Sequence, residues 1–181
     1  MVEHFDYSEL ASEYDQTRYV GRKNTYTNQI GANCLMSLLP KNRSLKLLDV
    51  GCGTGSGVCC LAENGYENII GLDYTMNMLS ICQEKSERFE SVRLVRGDAG
   101  RLSFPNDRFD CVVSLNFLHL FSNEEQKKFI DEMTRVLKPG GVLVCEFDNY
   151  YRGIIAGKQT LKENPNLHLN TYSDFKYLVV L

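Results

Sequence analysis

The run Leu47-Leu48-Asp49-Val50-Gly51-Cys52-Gly53-Thr54-Gly55 narrows the folds open to this chain more than any other stretch of it. An apolar strand ends in three alternating glycines where a helix is due to begin. Without a Cβ the backbone can be approached directly, and the first turn of the following helix offers unpaired N–H groups and the positive end of its dipole. This is a seat for a cofactor. Spacing limits which one: a dinucleotide turn requires G-x-G-x-x-G, whereas the sixth position is Ser56 counted from Gly51 and Val58 counted from Gly53. Neither frame fits. Asp49, two residues ahead of the first glycine, would repel a pyrophosphate but attract an ammonium or a sulfonium. The expected ligand carries positive charge.

Apolar, β-branched runs bounded by turn residues predict five strands, at Leu45–Val50, Asn68–Asp73, Val92–Arg96, Phe109–Ser114 and Val142–Phe147. Helical patterns lie between them. The clearest spans Ser122 to Leu137, opened by a capping box of Ser122 and Glu125, with Phe129, Ile130, Met133, Val136 and Leu137 on one face and Pro139-Gly140 as a turn beyond it. A further helix is expected from Asn24 to Leu39, stopped by Pro40. Strands and helices alternating at these lengths predict an α/β fold. Its mainly parallel sheet is Rossmann-like and doubly wound, with helices on both faces and ligands at the carboxyl ends of the strands.

The chain resembles the class I S-adenosylmethionine (SAM)-dependent methyltransferases of the small-molecule type. The resemblance rests on Leu48-Asp49-Val50-Gly51-Cys52-Gly53-Thr54-Gly55, Gly71-Leu72-Asp73, Gly97-Asp98-Ala99, Phe109-Asp110-Cys111-Val112-Val113-Ser114 and Arg135-Val136-Leu137-Lys138-Pro139-Gly140-Gly141, in the family's order. It implies SAM as cofactor and S-adenosylhomocysteine as product. One domain is expected over 1–181: an N-terminal helical cap at 1–40, a cofactor-binding core at 45–147, and a partial substrate-side region at 148–181. The family adds a two-stranded antiparallel hairpin after the fifth strand. Here Ser173 to Leu181 reads as the helix before that hairpin, so the hairpin itself is expected to be missing or truncated.

The resemblance also implies roles. Gly51, Cys52, Gly53 and Gly55 would meet the homocysteine part and ribose, and Asp49 the methionine ammonium. Asp49 could instead cap the helix. Asp73, about twenty residues beyond the turn, would accept from both ribose hydroxyls. Tyr74 and Met78 would flank the adenine, although Met78 also suits a core contact. Asp98 and Ala99 would meet the adenine edge, with a turn aspartate as the plainer reading, and Leu115 would offer its backbone carbonyl to the methionine amine. His119 is the candidate general base, its ordinary pKa suiting proton removal near neutrality. Flanked by Leu118, Leu120 and Phe121, it equally reads as a packed helix residue. Tyr14, Arg18 and Tyr19 resemble a lid over the cofactor, or else aromatic packing against the sheet edge.

The reaction implied is in-line methyl transfer, in which positioning does most of the protein's work. The net charge of −3 lacks the basic excess that nucleic-acid binders use. Ser114-Leu115-Asn116-Phe117 is not the Asn/Asp-Pro-Pro-Tyr/Phe signature of amino-methylating enzymes of nucleic acids or glutamine. A small-molecule acceptor is therefore expected, with a protein acceptor as second option and no nucleic acid. Met1 to Leu10 carries charges without an apolar run, and no stretch has the length of a membrane span. Seven cysteines without a C-x-x-C pair predict neither zinc nor a disulfide framework, but reduced thiols in the cytoplasm. No metal is expected, and no feature fixes an oligomeric state. Two other classes fit the pattern less well: a catalytically silent scaffold or regulatory subunit of the same fold, and a nicotinamide-dependent oxidoreductase.

Overall fold

A computed structural model of the chain describes residues 32–147, 167–172 and 175–180. Five strands run parallel in their pairings: β1 (Lys46–Val50), β2 (Asn68–Asp73), β3 (Val92–Arg96), β4 (Phe109–Ser114) and β5 (Leu137–Phe147). With β6 (Leu167–Tyr172) and β7 (Phe175–Val180) they form one sheet in the order β3-β2-β1-β4-β5-β7-β6. The order turns back on itself between β1 and β4, and that reversal opens a crevice at the carboxyl ends of both strands.

The C-terminal expectation is overturned here. β7 pairs antiparallel with β5, Leu143 opposite Val180 and Phe147 opposite Lys176, and β6 pairs antiparallel with β7. Residues 175–180, read as a helix, therefore form the inner strand of the hairpin that was expected to be missing. The physical signal was present: Tyr177, Leu178, Val179 and Val180 are β-formers, and the exposed edge of β5 supplies the backbone partners that a short apolar run requires.

Helices cover both faces. On one side α1 (residues 32–38), α2 (Ser56–Glu63) and α3 (Met76–Ser86) pack on Leu47, Ile69, Cys111, Val113, Val142 and Val144. On the other, α4 (Asn123–Val136) packs Phe129, Ile130, Met133 and Val136 against Leu48, Val50, Leu72, Val112, Leu143 and Cys145. Alternate residues of the central strands are thus buried on opposite faces, which is why those strands read as unbroken apolar runs.

The predicted capping box forms: the Ser122 N–H donates to Glu125 Oε2 at 2.9 Å and the Glu125 N–H to Ser122 Oγ at 3.4 Å. The helix ends at Val136, one residue early, because Leu137 already pairs with Phe109. Pairing resumes at Cys111 and Val142, so the Pro139-Gly140 turn sits as a bulge inside a longer β5, with Gly140 at φ 75°. All seven cysteines are free, five of them buried. The expected cap over 1–40 lies outside the described residues except for 32–40.

Candidate active site

The glycine turn is stapled to the end of β2. The N–H groups of Gly51 and Cys52 both donate to the Leu72 carbonyl, at 2.8 and 3.0 Å. One residue on, Asp73 Oδ2 accepts from the Gly53 N–H at 2.9 Å and Oδ1 from the Thr75 N–H at 2.9 Å. Asp73 therefore clamps the turn with one oxygen and the start of α3 with the other. Burial raises its carboxyl above the ordinary range, and the hydrogen bonds from Thr75, Gly53 and Tyr74 pull it back only in part. Each oxygen keeps acceptor capacity for a ligand hydroxyl.

The glycines divide the work. At Gly53 (φ 53°) nothing lies within 4 Å of where a Cβ would stand, so this glycine presents open backbone. At Gly51 a Cβ would collide with the ring of Phe117, and at Gly55 it would lie 2.5 Å from Cys82 Sγ. Those two glycines are needed for packing within the protein. Gly53 alone of the three has open space where a Cβ would stand.

Gly51, Gly53, Leu72, Asp73, Tyr74, Thr75 and Met78 line a solvent-open cleft together with Gly97, Asp98 and Ala99. Asn116, Phe117, Leu120, Phe121 and Phe129 form the facing wall. Asp98 lines the cleft, and its carboxylate accepts from the Gly100 N–H at 2.7 Å, the bond of a turn aspartate. Its loop is locked from α4: Glu132 Oε2 accepts from the Leu102 N–H at 2.8 Å, while Arg135 donates to the Leu102 and Phe104 carbonyls at 2.9 Å each. Met78 is buried and lines the cleft. Tyr74 is 43% exposed at the rim, with the Arg96 guanidinium 5.6 Å above its ring.

Four expected residues stand behind the wall. Asp49 is 1% exposed, and a Cβ on Gly57 in the first turn of α2 would fall 2.5 Å from its Oδ2. Its Oδ1 has no hydrogen-bond partner. Burial first, and the nearby Asp73 second, push its carboxyl up to about 7. Cys52 packs in the α2-side core, its thiol held well above the ordinary range by the hydrogen bond to Cys82 and by burial, so it is no nucleophile. Gly55 faces Cys82, and Leu115 packs its side chain toward Gly57. His119 sits half-buried in the single 3₁₀ turn Leu118–Leu120 and does not line the cleft, although Leu120 beside it does. Tyr14, Arg18 and Tyr19 lie outside the described residues.

Sequence reasoning missed the aromatic wall. Phe117, Phe121 and Phe129 stack with centroids 4.8 to 5.4 Å apart; two of them come from the segment after β4 and one from the inner face of α4. It also missed Asn116, at φ 53°, whose N–H donates to the buried Glu146 Oε2 at 3.0 Å. The apolar character of Phe117 and Phe121 was legible, but their convergence on Phe129 depends on how α4 docks.

A family profile described as a methyltransferase domain matches residues 48–145, more than half of the chain. Among curated relatives, a demethylmenaquinone methyltransferase from Bacillus licheniformis is 39% identical over 112 residues, covering 61% of this chain and 47% of that protein. The chain spans about half the length of the curated relatives it matches. Among solved structures, the 4+2 cyclase SpnF is 27% identical with a TM-score of 0.60, over 66% of this chain and 44% of that one. Phosphoethanolamine N-methyltransferase 1 of Haemonchus contortus, solved with phosphoethanolamine and S-adenosylhomocysteine, has a TM-score of 0.67. It is 17% identical over 80% of this chain and 32% of that one, a likeness of fold.

Proposed function

The chain belongs to the class I SAM-dependent methyltransferases, and from that premise we propose that it transfers the methyl group of SAM to a small-molecule acceptor by in-line displacement. The observation that carries this reading is Asp73, whose oxygens tie the open backbone of Gly53 to the start of α3 at the mouth of the cleft. A vicinal diol is what two fixed carboxylate oxygens at the end of β2 are suited to accept. The other residues fit the same cofactor. Ala99, Met78 and Leu120 make an apolar slot for a purine, Asp98 offers an acceptor at its edge, and the orphaned buried oxygen of Asp49 suits a cation.

When bound, SAM supplies an activated methyl on a sulfonium. The protein's share is then to bind, orient and exclude water, and oriented pairs gain up to roughly 7 to 11 kcal/mol by positioning alone. His119 is assigned no proton step in this reading, because it stands off the cleft. The N-terminal 1–40 and the C-terminal 148–181 are proposed to complete the acceptor side of one domain. Free cysteines throughout, with none paired, support work in the reducing cytoplasm. Among the described residues no helix is long and apolar enough to cross a membrane.

The relatives' name makes demethylmenaquinone the first acceptor to assay. The expected result is acceptor-dependent formation of S-adenosylhomocysteine, with thermal stabilisation by SAM of about 2.7 kcal/mol at one hundred times its Kd. Stabilisation by NAD and not by SAM would overturn the reading, and SAM binding without turnover on any small acceptor would leave a silent scaffold.

A further inference from the structure

Among the described residues only two charged side chains are buried, and both are carboxylates: Asp49 near the end of β1 and Glu146 near the end of β5. They stand on the same face of the sheet. Asp49 follows Leu47 by two residues and Glu146 follows Val142 and Val144 by four and two, and all three apolar residues pack in the core under α1 and α2. Between their strands lies β4, with Asp49 opposite Val113 and Ser114 opposite Cys145. The next residue of β4's extension, Leu115, packs in that same core. Two buried carboxyl groups therefore stand on the sheet face to which Leu115 also packs.

The Leu115–Asn116 peptide is held in one orientation. Glu146 Oε2 accepts the Asn116 N–H at 3.0 Å, and Asn116 sits at φ 53°, in the left-handed region that asparagine tolerates better than most side-chain-bearing residues. The peptide is trans, so the Leu115 carbonyl points away from the Asn116 N–H and hence away from β5. The other neighbour of β4 is β1, whose continuation is the glycine turn. A carboxylate on the N–H end also polarises the amide and makes its carbonyl a stronger acceptor.

We propose that Glu146 is a positioning residue for the amino-acid end of the cofactor: by gripping the Asn116 N–H it turns the Leu115 carbonyl toward the glycine turn and strengthens it as an acceptor for the ligand ammonium. Together with Asp49 it makes that end of the seat selective for a cation. The inference rests on the SAM reading above and adds a residue on β5 that the motifs of the cofactor seat do not include.

The test compares two ligands that share the adenosine and thioether but differ in the ammonium-bearing end. Calorimetric Kd values for S-adenosylhomocysteine and 5′-methylthioadenosine are measured with the wild type, Glu146→Gln and Glu146→Ala. For Glu146→Ala the expected loss is about tenfold or more for S-adenosylhomocysteine, the size of a charge-assisted hydrogen bond, with 5′-methylthioadenosine changed by less than about twofold. Glu146→Gln, which keeps an acceptor oxygen without the charge, is expected to lose less but with the same selectivity, and it carries the test if the alanine variant does not fold. Equal losses for both ligands would mean that Glu146 only supports the wall, and no loss for either would remove it from the site; both results overturn the proposal. Wild type that binds 5′-methylthioadenosine and S-adenosylhomocysteine equally well would also overturn it, whereas wild type that binds neither would overturn the SAM reading itself and this inference with it.

Discussion

At the ends of β2 and β3 the cleft displays its carboxylates, whereas at the end of β1 it hides one. Asp73 and Asp98 line the cleft with their oxygens already engaged by backbone N–H groups. Asp49 lies under α2 with one oxygen unpartnered, and Leu115 packs on the same helix start. These half-buried, cleft-lining carboxylates are held by backbone N–H groups and can read neutral hydroxyls and amines through directed hydrogen bonds. The buried one is held by little and costs free energy when charged, so it is suited to a ligand that brings the compensating charge. One end reads shape and hydrogen bonds; the other reads charge.

The cleft-lining end predicts the largest effect. Asp73→Ala removes both the acceptor for ligand hydroxyls and the clamp on Gly53, and a roughly ten- to hundredfold weaker Kd for SAM is expected by calorimetry. Asp73→Asn keeps one acceptor oxygen and should fall between. Undiminished binding in both would remove Asp73 from the site and erase the contrast between the two ends.

The buried end predicts dependence on pH. The Asp49 carboxyl titrates near 7 in the folded chain and near 3.9 when unfolded, so between about pH 4 and 7 the folded state holds the proton more tightly. Stability therefore falls as pH rises through that window and is level above it. A cationic ligand favours the ionised form, so SAM should bind about tenfold more tightly at pH 8 than at pH 6, releasing a proton at the lower pH. Asp49→Asn should flatten both slopes, raise the melting temperature at pH 8, and weaken SAM binding there. Proton release is read from calorimetry in buffers of different ionisation enthalpy; none in the wild type would show that Asp49 does not sense the ligand charge.

How much of this was legible depended on whether a residue acts through its neighbours in sequence or across the fold. The five parallel strands, the capping box and the Asp73 and Asp98 positions follow from local pattern, because strand ends in a parallel α/β sheet converge on one crevice whatever the helices do. The division of labour among the glycines did not follow. Whether Gly51 faces a ligand or Phe117 depends on a segment sixty-odd residues away, and the partner of the Asn116 N–H is Glu146 in another strand. The hairpin differs from the sequence expectation because a short, mostly apolar run takes its strand form from a partner edge, here that of β5, which local pattern does not show.

The glycines offer a separation of stability from binding. Gly51→Ala drives a Cβ into the Phe117 ring and forces a side chain into a left-handed backbone, which should cost about 2 to 4 kcal/mol by urea titration. Gly53→Ala meets no atom within 4 Å, so only the backbone term of about 1 kcal/mol remains, while the methyl group intrudes where the ligand approaches. Its signature is a weakened SAM Kd at nearly unchanged stability. If both variants lost stability alike, Gly53 would be a packing glycine too.

The smallest effect is expected at His119. It lies in the 3₁₀ turn between the buried Leu118 and the cleft-lining Leu120, and a half-buried imidazole there contributes to packing. If transfer is a matter of positioning, His119→Ala should lower kcat by less than about threefold and His119→Gln by less still, with the pH profile of kcat unchanged in shape; a general base would account for 10²–10⁴-fold and take one limb of the profile with it. A loss of that size with an intact melting curve would bring His119 into the cleft during turnover, and the charge-reading end of the site would then hold a titrating cation beside its buried carboxylates.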